Sequence, residues 1–137
     1  MRSYSVAVAA LTVGAPTKWT DNLLAHHDIE GVQSTSRGVA RGISWAGLVR
    51  IALIRELHQS LGCGVREAVT LVADLVGSPT SSVAPGRWIT LSVDRAALER
   101  ELQRRLAEVL ESAPRPRRGR PPRRATGQAA STRRPSI

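Results

Sequence analysis

Ser5-Val6-Ala7-Val8-Ala9-Ala10-Leu11-Thr12-Val13-Gly14-Ala15-Pro16-Thr17-Lys18-Trp19-Thr20 contains two helix starts separated by a stop. Ser5 supplies the side-chain oxygen that an N-cap requires, and the apolar run after it is compatible with a buried helix. Gly14-Ala15-Pro16 ends that run, because glycine accepts the left-handed conformation past a helix end and proline cannot continue the helix. A second short helix is expected from Thr17 to about His26, with Trp19 and Leu23 one turn apart on one face. Two short helices around a glycine turn are the pattern of a helix-turn-helix.

Downstream, residues 29–32 and 39–43 are brief β-prone pieces around Gln33-Ser34-Thr35-Ser36-Arg37-Gly38, which is polar enough for a hairpin tip. Ser44 caps a longer expected helix, Trp45–Leu61, whose apolar residues occupy most of its circumference, as suits a helix in the middle of a core. Gly62-Cys63-Gly64 stops it. Val65, Ala68, Val69, Val72, Leu75 and Val76 then follow the spacing of an amphipathic helix laid against it. The expected divisions are a head over residues 1–77, a Ser/Pro/Gly-rich linker over 78–87, a strand-helix element over 88–112 and a tail over 113–137.

In the strand-helix element, Ile89, Leu91 and Val93 alternate with Trp88, Thr90 and Ser92, the period of a half-buried strand. Asp94 can cap a helix over Arg95–Ser112, with Glu101 placed for an i, i+4 contact with Arg105. Leu98, Leu102, Leu106 and Val109 form a stripe. One strand and one helix cannot make a core alone, so they either fold back on the head or pair with a second chain. The leucine stripe favours a homodimer, and the same surface could receive another protein.

Charge divides the chain sharply. Residues 1–112 hold twelve basic and eleven acidic side chains, whereas residues 113–137 hold eight arginines and no acid, so +8 of the net +9 belongs to the tail. With no large apolar residue before Ile137, the tail cannot bury enough surface to offset its ordering entropy and is expected to be disordered. Its centre is Arg115-Pro116-Arg117-Arg118-Gly119-Arg120-Pro121-Pro122-Arg123-Arg124. Glycine clears the approach to a groove floor, proline keeps the backbone extended, and arginines favour the enhanced negative potential of a narrow A·T minor groove. The four residues Arg118 to Pro121 resemble the AT-hook, with Arg117 where that motif usually has proline. Double-stranded DNA is the partner this implies, through Arg117, Arg118, Gly119, Arg120, Arg123 and Arg124.

The order of two short helices, a hairpin and two longer helices resembles the DNA-binding domain of the MerR-like winged helix-turn-helix family. The resemblance lies in Tyr4-Ser5-Val6 and Ala10-Leu11-Thr12-Val13-Gly14, in residues 23–32 running into the wing, and in Gly38-Val39-Ala40-Arg41 as the return strand. Residues 48–61 followed by Gly64-Val65-Arg66-Glu67 match the helix, glycine and next helix in order. Lys18-Trp19-Thr20-Asp21-Asn22 stands where the family usually has an Arg-Tyr-Tyr cluster. The resemblance, over about Tyr4 to Leu75, implies a winged helix-turn-helix head with a small β-hairpin wing; together with the strand-helix element and the disordered basic tail read above, the expected fold is mainly α.

In such a fold the second helix enters the major groove, which makes Thr17, Lys18, Thr20 and Asn22 the candidate readers. Asn22 has the geometry for a bidentate bond to adenine, and Lys18 can contact guanine or phosphate. Trp19 belongs to the core by its spacing with Leu23. Asp21 would be repelled by phosphate unless it turns away or accepts from a cytosine amine. On the wing, Arg37 and Arg41 are expected to grip the backbone or minor groove.

Other function classes find little support. His26, His27, Asp28, His58 and Cys63 match no closed zinc spacing, and no catalytic triad context, phosphate-cradling glycine loop or paired catalytic carboxylate is visible, so no catalysis, metal or cofactor is expected. Cys63 alone excludes an intramolecular disulfide framework and fits a reducing interior. Arg2 followed by residues 6–13 imitates a secretory signal, but the apolar run is short and interrupted by Thr12, which favours a buried helix. No stretch approaches the ~20 apolar residues that span a bilayer. The expectation is a cytoplasmic, nucleoid-associated transcriptional regulator or antitoxin-like autoregulator. The alternatives are an architectural or excisionase-like factor that bends DNA, and an adaptor that localises an effector protein on DNA.

Overall fold

Ser5 starts the first helix by accepting a hydrogen bond from the Val8 amide at 3.2 Å. In the computed structural model, which describes residues 2–33 and 41–112, this helix is α1 (Val6–Val13). Gly14 ends it at φ +84°, a left-handed cap that a side chain would strain, and its amide donates to Ala10. Pro16, at φ −62°, leads into α2 (Thr17–His26). The chain then turns into β1 (Val32–Gln33), which pairs antiparallel with β2 (Gly42–Ile43), Val32 opposite Ile43 and Gln33 opposite Gly42. Tyr4 lies on the other edge of β2, exchanging backbone bonds of 2.8 and 2.9 Å with Ile43.

Ser44 does two things at the start of α3 (Trp45–Leu61). Its hydroxyl accepts from the Gly47 amide and donates to the Gly31 carbonyl at 2.9 Å. The bend before β1 is thereby held against the first turn of α3. Gly31 stands at φ +93°, and a Cβ there would lie 2.8 Å from the Gly47 Cα, while a Cβ on Gly47 would lie 2.7 Å from the Gly31 carbonyl oxygen. Both positions require glycine for this close approach.

Helix α3 is the centre of the core. Leu48, Ile51 and Ile54 have essentially no exposure, and α4 (Val65–Gly77) packs along α3 through Ala68, Val72 and Leu75. A second antiparallel hairpin, β3 (Ser82–Val83) with β4 (Leu91–Ser92), leads to α5 (Arg95–Ser112), which packs on α1. Asp94 caps α5 by accepting from the Ala97 amide at 3.0 Å. The described residues are therefore mainly helical, with two minimal antiparallel hairpins.

Several expectations change. Residues 78–87 are not a plain linker, because they include β3. Only Leu91–Ser92 of the strand expected over 88–93 is paired, and Trp88 and Ile89 are exposed. The first hairpin is shorter than its β-prone sequence, and Ile29 is a buried loop residue. The leucine stripe of α5 is occupied within one chain: Leu102 and Leu106 are buried in the common core, Leu98 packs against it, and Val109 is half-buried. Burying each leucine contributes about 1.5–3 kcal/mol, which drives the element back onto the head. The stripe is thus not a free seam for a homodimer. Arg37 and the hairpin loop, with residues 39 and 40, and the whole of 113–137 lie outside the described residues.

Candidate nucleic-acid interface

The Gly14 cap and Pro16 turn α2 so that Leu23 and Leu24 enter the core. The opposite face carries Thr17, Lys18, Asp21, Asn22, Ala25 and His26, all exposed. This face is polar and lacks large apolar residues. Lys18 and Asn22 are one turn apart on it, in the arrangement that two adjacent contacts along a groove require.

Thr20 does not belong to the face. It is completely buried, and its hydroxyl donates to the Pro16 carbonyl at 3.1 Å. A group so enclosed cannot reach a base edge, which removes Thr20 from the expected readers. Trp19 is half-buried and packs against the core, as its spacing with Leu23 predicts. The Arg55 guanidinium stands 4.8 Å from the Trp19 ring centroid, and the His58 ring stacks at 6.0 Å with an interplanar angle of 24°. This cluster anchors α2 to the second half of α3.

Asp21 turns to Arg41, whose guanidinium donates to the carboxylate at 2.9 Å. The two side chains come from α2 and from the residue just before β2. Arg41, expected to grip DNA backbone, is therefore engaged by a carboxylate of its own chain. The pair ties the returning arm of the hairpin to the flank of α2. It also reduces the repulsion that Asp21 would present to phosphate, leaving Lys18, among the described residues, as the uncompensated charge on the outer face. An exposed pair of this kind contributes little stability, about 0–1 kcal/mol, so its main consequence is geometric and electrostatic. A parallel tie joins Glu30 to Arg50 at 3.3 Å, beside the Gly31 bend.

The histidines have ordinary structural surroundings. His26 Nδ1 lies 2.9 Å from the Asn22 carbonyl oxygen, and His58 Nδ1 lies 2.8 Å from that of Cys63. No group of three His, Cys, Asp or Glu side chains suited to a metal ion occurs among the described residues. No helix among them is long and apolar enough to cross a membrane.

Of the expected interface, the structure brings Thr17, Lys18 and Asn22 together on one face and puts Arg41 at its edge. Sequence reasoning missed the Asp21–Arg41 pair and the Arg55–Trp19–His58 stack, which join residues too far apart for any local spacing rule. No family model, curated protein or solved structure matches this chain.

Proposed function

We propose that this chain is a sequence-specific double-stranded-DNA-binding transcriptional regulator, of a kind that includes antitoxin-like autoregulators, acting in the cytoplasm at the nucleoid. In this reading the head is a winged helix-turn-helix: α2 enters the major groove and the first hairpin is the wing, with Arg37 in its loop. The arginine-rich residues 113–137 follow an A·T minor groove. The observation that carries the reading is the outer face of α2, where Thr17, Lys18 and Asn22 are exposed beside a hairpin tied to the same helix by Asp21 and Arg41. Asn22 would bond an adenine edge and Lys18 a guanine or a phosphate. Thr17, at the helix N-terminus, would approach the phosphate backbone. The tail would add affinity through counterion release, and Arg118 and Arg120 would add A·T preference.

The test is selection of bound duplexes from a randomised library, followed by affinity measurements at one salt concentration. Asn22→Ala should lose about 1–3 kcal/mol on the selected site, roughly a 5- to 150-fold weakening, and should relax discrimination at one base pair. Its affinity for scrambled DNA should be unchanged. Selection of no common sequence, or an Asn22→Ala variant with full discrimination, refutes the assignment.

A further inference from the structure

The β3–β4 hairpin holds a tryptophan and an isoleucine out in solvent. Its root is fastened: Val83, Leu91 and Val93 pack against the core, the Ser78 hydroxyl accepts from the Thr80 and Ser82 amides, and the Val93 amide donates to Ser81 at 3.0 Å. Residues 84–90 between the strands are all exposed, Trp88 at 85% and Ile89 at 60%. Trp19 and Trp45, by contrast, pack against the core. A tryptophan left in water forfeits the burial of about 150–250 Å². A fastened hairpin that displays one beside an isoleucine therefore marks a contact surface rather than a scattered apolar residue.

Charge and area together indicate what the tip meets. Between Asp74 and Asp94 the only charged residue is Arg87, and its guanidinium stands 5.0 Å from the Trp88 ring centroid. The tip is thus an apolar wedge with a cation and no anion. It suits a polyanion that also offers flat apolar surfaces, which describes stacked bases between phosphates. Trp88 and Ile89 can bury on the order of 300 Å² together, far below the roughly 800 Å² per partner of a stable protein interface. That is too little to hold a second copy or another protein alone, and enough to add to a contact made elsewhere on the molecule.

The root of the hairpin also lies close to the anchor of α2. The chain passes from β4 through Asp94 into α5, whose first turn supplies Ala97 and Leu98 to a cleft shared with Val13 and Arg55. Val13 precedes the turn into α2, and Arg55 is the residue that stands over Trp19 of α2. Trp88 is three residues from Leu91, about 10 Å of strand, so the tip projects a short way from this junction. We propose that the β3–β4 tip is a second DNA contact, in which Trp88 and Ile89 insert between base pairs on the flank of the sequence read by α2 and kink the duplex, with Arg87 on an adjacent phosphate. This rests on the DNA-binding reading above. Unstacking is easiest at pyrimidine–purine steps, so the wedge favours TA or CA there without touching a base edge.

The test uses the full chain on the duplex it selects from a randomised library, with end-to-end energy transfer reporting the bend and 2-aminopurine placed at the flanking steps reporting unstacking. The wild type should bend the duplex and brighten one flanking step. Joint replacement Trp88→Ala and Ile89→Ala should leave the thermal midpoint and the core sequence unchanged, because both side chains are exposed. It should abolish the bend and the brightening and weaken binding roughly tenfold. Trp88→Phe should retain most of the bend. A straight duplex with the wild type, or a bend and affinity that survive the joint replacement, overturns the wedge and leaves the role of α2 intact. Wild-type dimers in light scattering that become monomers in the joint variant also overturn it, and assign the tip to a second copy. If no core sequence is selected, the DNA-binding reading fails and the wedge fails with it.

Discussion

Leu102→Ala should unfold the body at markedly lower temperature, and the loss should not depend on protein concentration. Leu102 is only 2% exposed and joins α5 to the core shared by α1 and α3. Truncation removes its transfer free energy and leaves a cavity that the surrounding helices fill only in part, a combined cost of about 2.7–5 kcal/mol for buried leucines. That is a large part of the ~5–15 kcal/mol by which a domain is stable. For a body of about 100 residues each kcal/mol lowers the midpoint by roughly 4–8 °C, so a loss of about 3 kcal/mol corresponds to ~12–24 °C. Thermal unfolding followed by circular dichroism at low and high protein concentration measures this. An intrachain core unfolds without a concentration term, whereas a leucine seam between two chains is stabilised by mass action. A loss below about 1 kcal/mol, or a midpoint that rises with concentration, would refute the placement of Leu102 and restore the dimer seam that the stripe suggests.

Thr20→Val removes the hydroxyl bonded to Pro16 while keeping the side-chain shape, so stability should fall by about 1 kcal/mol and the selected DNA sequence should not change; an altered sequence preference would return Thr20 to the interface. Gly31→Ala meets both a positive φ and the Gly47 backbone, and urea denaturation should show a loss of about 2 kcal/mol or more, whereas a neutral result would contradict the close approach of the two glycines. Hydrogen bonds from Arg104 and Arg105 lower the Glu101 carboxyl from the ordinary 4.5 to about 2. Because the folded value is the depressed one, the stabilisation from this group is complete above about 4.5 and is lost as pH falls toward about 2. Solvent screens the network, so the effect should be small. Thermal midpoints measured against pH should show a shallower acid decline for Glu101→Gln, and an unchanged slope would mean that the ion pairs do not persist in solution.

The helices are legible because their ends are encoded locally. Ser44 and Gly62 bracket α3, and Asp94 starts α5, each through a side chain or a backbone conformation that depends only on nearby residues. The second hairpin is not legible for the opposite reason. Its Ser-Pro-Thr-Ser-Ser approach has the composition of a linker, yet the Ser78 hydroxyl accepts from the Thr80 and Ser82 amides, and Val93 donates back to Ser81 at 3.0 Å. Short side-chain bonds of this type turn a polar stretch into defined structure without any hydrophobic period. The α5 stripe posed a different difficulty. Packing on α1 and packing on a second chain demand the same leucine spacing, and only the position of the other helices distinguishes them.

At the candidate interface, periodicity identifies the outer face of α2 through Lys18 and Asn22, but polarity misleads at Thr20. A threonine in a helix can satisfy its hydroxyl on the carbonyl four residues earlier, so it can be buried at little cost, and its presence says nothing about exposure. The Asp21–Arg41 pair spans twenty residues and two elements, beyond any helical or cross-strand rule. Its effect on the proposed DNA contact runs through two linked changes. Arg41 already faces a carboxylate of its own chain, and that pairing lessens the repulsion Asp21 would offer a phosphate. In the proposed reading, base contacts then fall to Lys18 and Asn22, and most of the counterion release would come from the eight arginines beyond residue 112. That reading separates discrimination, carried by one face of α2, from salt-dependent affinity, carried by arginines elsewhere in the sequence.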